Sequence, residues 1–392
     1  MPADSLKAKR PDPSRLWPAL RRPLLAVALG LLFGAVVILM AGENVLECYR
    51  IMFRGGFGSP YYFTTTLTRA TPIIFCGLSV AVAWRSGIPS IGAEGQMICA
   101  GLSAAIVATL CPGSPLVRIL AAFIAGCLAG ALYSVLAAWL FRQFNADLII
   151  TTLMLNYIAH YVTYYLVEYK FKDTAASDIA AVQTAQLDPS LRLPVLIQSY
   201  SVHLGFVIAL VLAAVLYWVL RYTVYGYQSR ISGLNGQFAI YGGISSLKML
   251  YSTMALSGAI AGLAAVCEVL GTKYRYVNDM FRSPGYAWVG IMVALLANNN
   301  PLGIVISSVF IAGITIGSQA VARSTAVPVE VSSMIQGIIT LFLSAQLVSG
   351  HIRKRRKDRT LPGVPEPSAG EVSQDPEGDA PQAFSGKEET SL

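Results

Sequence analysis

Runs of roughly 20 apolar residues recur along most of this 392-residue chain. At about 1.5 Å rise per residue, each is long enough as a helix to cross the roughly 30 Å hydrocarbon core of a bilayer. Hydropathy places them near 24–43, 63–83, 93–111, 119–141, 147–168, 201–221, 248–270, 284–298, 302–322 and 331–349. Only 13% of the residues are charged while 55% are hydrophobic, whereas soluble domains are about one quarter charged. The fold expected is all-α: a polytopic membrane protein of about ten helices, with no room beside them for an aqueous catalytic domain.

The first run follows a basic segment, 1–23, but is too long for a signal h-region and lacks a small-residue cleavage site, so it is expected to be retained. Lys7, Lys9, Arg10, Arg15, Arg21 and Arg22 precede it, and Arg353, Lys354, Arg355, Arg356, Lys357 and Arg359 follow the last run. The positive-inside trend then puts both termini in the cytoplasm, with residues 222–246 inside and 170–200 outside. The transmembrane body is expected to span 24–350. The stretch 351–392 is first basic, then rich in Pro, Glu, Ser, Gly and Asp without apolar periodicity, and is expected to be disordered. The cysteines lie scattered in apolar runs with no CxxC spacing, and with three histidines in the chain no metal site is expected.

An even number of spans around one long internal loop suggests two five-helix halves of opposite topology, dividing near 191–201. On that scheme the segment RSGIPSIGAEGQ, Arg85 to Gln96, corresponds to Thr272–Gly290 on the other side. Gly92, Gly95, Gly285 and Gly290 interrupt the two, giving broken or re-entrant helices. Facing interruptions of this kind point to a midplane binding site.

No GxSxG, HExxH or GxxxxGK[ST] occurs, so no covalent chemistry is expected of this chain, and any ATP must be bound by another. Glu94 stands at the start of the third span, where an ionised carboxylate costs several kcal/mol unless paired, hydrated or capping a helix. Three roles are open to it: holding backbone N–H groups at the break, lining a translocation path, or coupling to protons. Gln96 suits the first two, having both donor and acceptor, and Ser90 lies in the same segment. Asn156, with Thr151 and Thr152 about a turn before it, offers a polar face to a hydroxyl-rich or heterocyclic solute, or interhelical glue worth about 0.6 kcal/mol per pair. Arg69 is expected to snorkel outward and Glu268 to face water. The loop 222–246 is either a solvated connector or a short helix lying on the membrane or in a partner's groove. Lys273, Arg275 and Arg282, basic on the outer side, fit docking of an acidic surface, unless Asp279 and Glu268 neutralise them.

Four segments in order also resemble a known family. Thr71, Pro72, Gly77 and Leu78 followed by Arg85–Gln96 resemble the TP…GL and NIGAEGQ stretches of ABC importer permeases of the ribose and branched-chain amino acid class, nucleoside-type, with Pro89 and Ser90 standing where the family has Phe-Asn. DLIITTLMLNYIA from Asp147 resembles a second family segment, and Arg230, Gly233, Asn235, Ala239, Tyr241, Gly243 and Ile244 a third. A fourth runs from Gly285 to Ile304. The resemblance implies a permease subunit in a bacterial inner membrane, fed by an extracytoplasmic binding lipoprotein, powered by a cytoplasmic ABC ATPase and paired with a second homologous permease. It further implies that Arg230, Gly233, Asn235, Tyr241 and Gly243 couple to that ATPase.

The expected function is thus ATP-driven import of nucleosides or a related small polar solute by alternating access, with no cofactor of its own and no nucleic-acid partner. Two alternatives differ in prediction. A simple-sugar permease of the same superfamily differs only in ligand, whereas an ion-coupled secondary transporter would titrate Glu94 and His160 during its cycle.

Overall fold

The computed structural model describes residues 13–173, 182–196 and 202–325, with positions 330, 334, 337 and 338. Its helices are α1 (Pro13–Met40), α2 (Val45–Phe57), α3 (Pro60–Arg85), α4 (Ala93–Leu110), α5 (Pro115–Phe144) and α6 (Leu148–Tyr169), then α7 (Gly205–Tyr222), α8 (Val224–Leu234), α9 (Gly236–Tyr241), α10 (Ser246–Glu268), α11 (Tyr286–Leu296) and α12 (Pro301–Ser324). Each expected span from 24–43 to 302–322 coincides with a helix. The expected span at 331–349 falls almost wholly outside the described residues, and the tail 351–392 wholly so.

Where helices and hydropathy differ, charge is the reason. α1 begins at Pro13 and so takes in Arg15, Arg21 and Arg22, because an apolar window marks the bilayer-crossing part of a helix rather than its ends. α2 was not expected: Glu47, Arg50 and Arg54 keep it from reading as a span. It is nevertheless well specified, since the Asn44 side chain accepts from the N–H groups of Leu46 and Glu47 at 3.0 and 3.4 Å, and Glu47 and Arg54 sit at the helix ends that favour their charges. It lies on α12 by backbone contact; a Cβ at Gly56 would stand 2.6 Å from the Gly313 oxygen. α8 and α9 resolve the 222–246 loop in favour of short helices, capped by Thr223 and by Asn235, whose Oδ1 accepts from Phe238 N at 3.1 Å.

The two halves interlock. α3, from the first half, packs against α11 and α12 of the second; α10, from the second, packs against α4 and α5 of the first; and α3 and α10 pack against each other. At that crossing Ser79 Oγ donates to the Ser257 carbonyl at 2.8 Å and Ser257 Oγ donates to the Ser79 carbonyl at 3.0 Å. The exchange ties the two halves together where α3 and α10 cross.

Small residues make the approach possible. A Cβ at Gly130 of α5 would lie 2.4 Å from the Gly258 oxygen of α10, and one at Gly262 would lie 2.5 Å from the Gly126 oxygen. Gly77 plays the same part toward α12, with Ile304 Cγ2 only 2.8 Å from where its Cβ would be, and Gly290 of α11 toward Cys76 at 2.5 Å. Glycines of the family-like TP…GL and 285–304 stretches therefore meet across the halves.

At one end of the bundle the tips of α3, α5, α6, α8 and α10 surround a cavity of about 560 Å³. At the other, residues 182–193 lie over 270–276: Thr184 N donates to Tyr276 O, Leu187 N to Tyr274 O and Leu193 N to Leu270 O, at 2.8–3.0 Å.

Candidate functional site

The break between α3 and α4 is built by residues 86–92. Ser86 N and Ile88 N both donate to the Ala83 carbonyl, and Gly87 turns the chain with φ +76°, a conformation glycine adopts without steric cost. Trp84 Nε1 donates to the Ser90 carbonyl at 3.2 Å, and the Ser90 hydroxyl accepts from Gly92 N at 3.3 Å. Thr152 Oγ1 accepts from Ile91 N at 3.3 Å. Asn156 then bridges the interruption: its Nδ2 donates to the Ile91 carbonyl at 3.1 Å and its Oδ1 accepts from Gly95 N at 2.9 Å. Asn156 thereby satisfies one of the N–H groups that a helix start leaves orphaned. Gly95 is required by this contact, since a Cβ there would come within 2.9 Å of Asn156 Oδ1.

With the backbone of the break held by Asn156 and Thr152, the Glu94 side chain is released for another use. It is 8% exposed and opens on a cavity of about 240 Å³ lined by Glu94, Leu153, Asn156, Tyr157, Arg282 and Trp288. Arg282 Nε lies 3.8 Å from Glu94 Oε1, while the Arg282 guanidinium sits 5.2 Å from the centre of the Tyr157 ring. The Trp288 indole, 51% exposed, lines the same cavity. Arg282 comes from the second interruption, where a π-helical turn over Val269–Lys273 is followed by left-handed residues Tyr274, Asp279 and Gly285 before α11 starts. The two helix breaks therefore meet at Glu94 and Arg282. α11, with 11 residues, is only about 16 Å long and does not cross a bilayer alone.

The sequence-selected residues divide accordingly. Ser90, Thr152 and Asn156 form the backbone support, Glu94 faces the cavity, and Gln96 is buried against the break, its Oε1 without a hydrogen bond. Thr151 instead donates to the Asp147 carbonyl at 2.7 Å on a more exposed side of α6. Of Lys273, Arg275 and Arg282, the last pairs with Glu94, its side chain 39% exposed. Arg69 and Glu268 do not face outward as expected. Glu268 is buried and accepts from Thr272 Oγ1 and Tyr286 OH, each at 3.3 Å, while Arg69 lies 5.4 Å from the Tyr286 ring centre. His203, just before α7, joins this cluster through Thr272 Oγ1 at 3.3 Å, and its Nδ1 accepts from Gly205 N at 3.1 Å. Burial pushes its imidazole down to about 4. Sequence reasoning missed Tyr157 and Trp288; each stands near a selected residue, but only the fold brings them to one cavity.

Of the residues in the α8–α9 hairpin, Arg230, Asn235, Tyr241 and Gly243 are exposed. Leu234, Phe238, Ile240 and Tyr241 present bare apolar surface, Tyr241 at 87% exposure. Gly233 is exposed as well, but its missing Cβ faces the α3–α4 break, where it would lie 2.2 Å from the Arg85 oxygen and 3.0 Å from Gly87 N.

A family model described as branched-chain amino acid transport system permease component matches residues 62–344. A guanosine ABC transporter permease of Bacillus subtilis is 34% identical over 85% of this chain and 96% of its own length. A glucose ABC transporter permease of Haloferax volcanii is 28% identical over 85% of this chain and 90% of its own. A nucleoside ABC transporter permease of Lactococcus lactis is 27% identical over 83% and 91% respectively. With a match that covers both interlocked halves and both helix breaks, the chain belongs to the branched-chain amino acid transport system permease family and is a membrane-spanning permease subunit of an ABC importer.

Proposed function

We propose that this permease passes nucleosides through the bilayer, driven by ATP that a separate ABC ATPase hydrolyses. The observation that carries the solute class is the cavity at the junction of the breaks. It offers a carboxylate that only accepts hydrogen bonds, a guanidinium that only donates them, and the aromatic faces of Tyr157 and Trp288. A nucleobase carries N–H donors, ring acceptors and a π-face on one rigid plane, so it uses all three. Relatives named for guanosine and nucleoside transport support this reading. The Haloferax relative named for glucose favours a second one, a simple sugar, which would use the polar groups and stack more weakly on the rings.

Partners follow from exposed chemistry. The bare apolar residues of α8 and α9 suit the ATPase, with that end and both termini cytoplasmic. Tyr157, Tyr161, Tyr164 and Tyr165 stand exposed along α6, and beside them Arg282 and Asp279 bring charge that lipid tails do not tolerate. A second homologous permease chain would cover that face and complete a water-filled path past Glu94. An extracytoplasmic binding lipoprotein would dock at the opposite end, over Lys273 and Arg275, in a plasma membrane. Competition settles the solute: in vesicles holding the whole complex, excess unlabelled nucleoside should suppress labelled nucleoside uptake and pentose should not. Suppression by pentose alone would replace the nucleoside reading with the sugar one.

A further inference from the structure

The contact between α8 and the α3–α4 break is tighter than packing needs. Ser86 and Ser229 are both buried, and their hydroxyl oxygens are 2.6 Å apart. Gly87 and Gly233 approach so closely that a Cβ on Gly87 would meet Gly233 Cα at 3.0 Å. Arg85 Nη2 donates to the Leu220 carbonyl at 3.4 Å, just ahead of α8. From Gly87 onward the chain is short and internally bonded through Ser90 N to Ile88 O and Gly92 N to Ser90 Oγ. It ends where Asn156 holds Ile91 and Gly95.

We infer that α8 and the Arg85–Gly92 turn form one rigid lever, with Ser86, Ser229, Gly87 and Gly233 as its joint, that delivers movement of the α8–α9 surface to the start of α4 and so to Glu94. This rests on the reading of α8–α9 as the ATPase contact. Ser86 and Ser229 are positioning residues; neither touches the solute cavity. A close-packed joint transmits displacement rather than absorbing it. Thr253 Oγ1 of α10 reaches both parts of the joint, Ser86 Oγ at 3.4 Å and Tyr225 OH of α8 at 3.1 Å, but the Ser86–Ser229 contact at 2.6 Å is the shortest of the three.

Three variants of the full complex, reconstituted in liposomes with its ATPase and binding protein, test this. Gly233→Ala adds a methyl group with no space to enter and should wedge the joint. ATP hydrolysis should persist while solute moved per ATP falls about tenfold, within the range by which mutations along coupled networks act. If Gly233→Ala does not assemble, Ser229→Ala loosens the joint without added volume and should act in the same direction. Ser86→Cys with Ser229→Cys, oxidised to a disulfide, should keep uptake near that of the reduced form, because parts that move together tolerate a link; the single-cysteine variants control for the oxidant. Loss of uptake on oxidation, or unchanged uptake per ATP in Gly233→Ala and Ser229→Ala, would overturn the lever alone. An unmodified complex without ATP-driven uptake would instead overturn the ATPase reading beneath it.

Discussion

Ser79 on α3 and Ser257 on α10 exchange hydrogen bonds, each hydroxyl donating to the other's backbone carbonyl at 2.8 and 3.0 Å. These residues mark where the two halves of the permease cross, so their coupling reports the integrity of the inverted arrangement. In a double-alanine cycle read by unfolding in detergent, the pair should show a coupling of about 0.6 kcal/mol, up to about 1.7 kcal/mol, the range found between membrane helices. Strict additivity of the two substitutions would mean that the crossing does not depend on the exchange.

The helix break should be more sensitive to Gly95 than to its neighbours. Gly95→Ala sets a methyl group 2.9 Å from Asn156 Oδ1, and Asn156→Ala removes the side chain that bonds both the turn, at Ile91, and α4, at Gly95. Each should lower stability by about 1–3 kcal/mol and reduce uptake in assembled complexes. Thr151→Ala, on the more exposed side of α6, should change neither by a comparable amount. Equal effects at the three positions would remove Asn156 from its bridging role.

Charge at the junction should act on solute choice, and charge at the far end on docking. Glu94→Gln keeps the shape but removes the negative charge that pairs with Arg282 at 3.8 Å, so uptake should shift in preference among nucleosides. Reversal of Lys273 and Arg275 together should weaken binding-protein association and leave that preference alone. A Glu94→Gln complex with the parent's preference would take the carboxylate out of solute recognition.

Much of the architecture was legible because hydropathy measures what a bilayer demands: the spans beginning at residues 63, 119 and 248 correspond to α3, α5 and α10. α2 was not, since Glu47, Arg50 and Arg54 mask a helix that packs through Gly55 and Gly56. At the site, the Gly-rich segment and Asn156 were found in sequence, but their division of labour was not. Glu94 was a candidate to hold backbone N–H groups, and the structure gives that contact to Asn156. Arg282 sits 188 positions beyond Glu94 (282 − 94), and hydropathy carries no record of which distant loop reaches which carboxylate. Its basic neighbours Lys273 and Arg275 suggested an outer patch, whereas the turn before α11 also brings Arg282 within 3.8 Å of Glu94.

Acid should destabilise the end that holds His203. Its folded imidazole is pushed down to about 4 by burial, from an ordinary 6.5, so the unfolded chain takes up the proton first. Stability from this residue is present above about 6.5 and is lost as pH falls from there toward 4. His203→Gln should flatten that part of the profile of unfolding temperature against pH. A profile identical to the parent's would show that the slope arises elsewhere.

The central claim is that this chain moves a nucleoside without energy conversion of its own. The direct measurement is labelled nucleoside uptake into liposomes holding either the chain alone or the chain with its ATPase, second permease and binding protein, with ATP supplied on the ATPase side. Uptake is expected only in the complete assembly, dependent on ATP hydrolysis and indifferent to an imposed proton or sodium gradient. Uptake by the chain alone, driven by such a gradient, would contradict it.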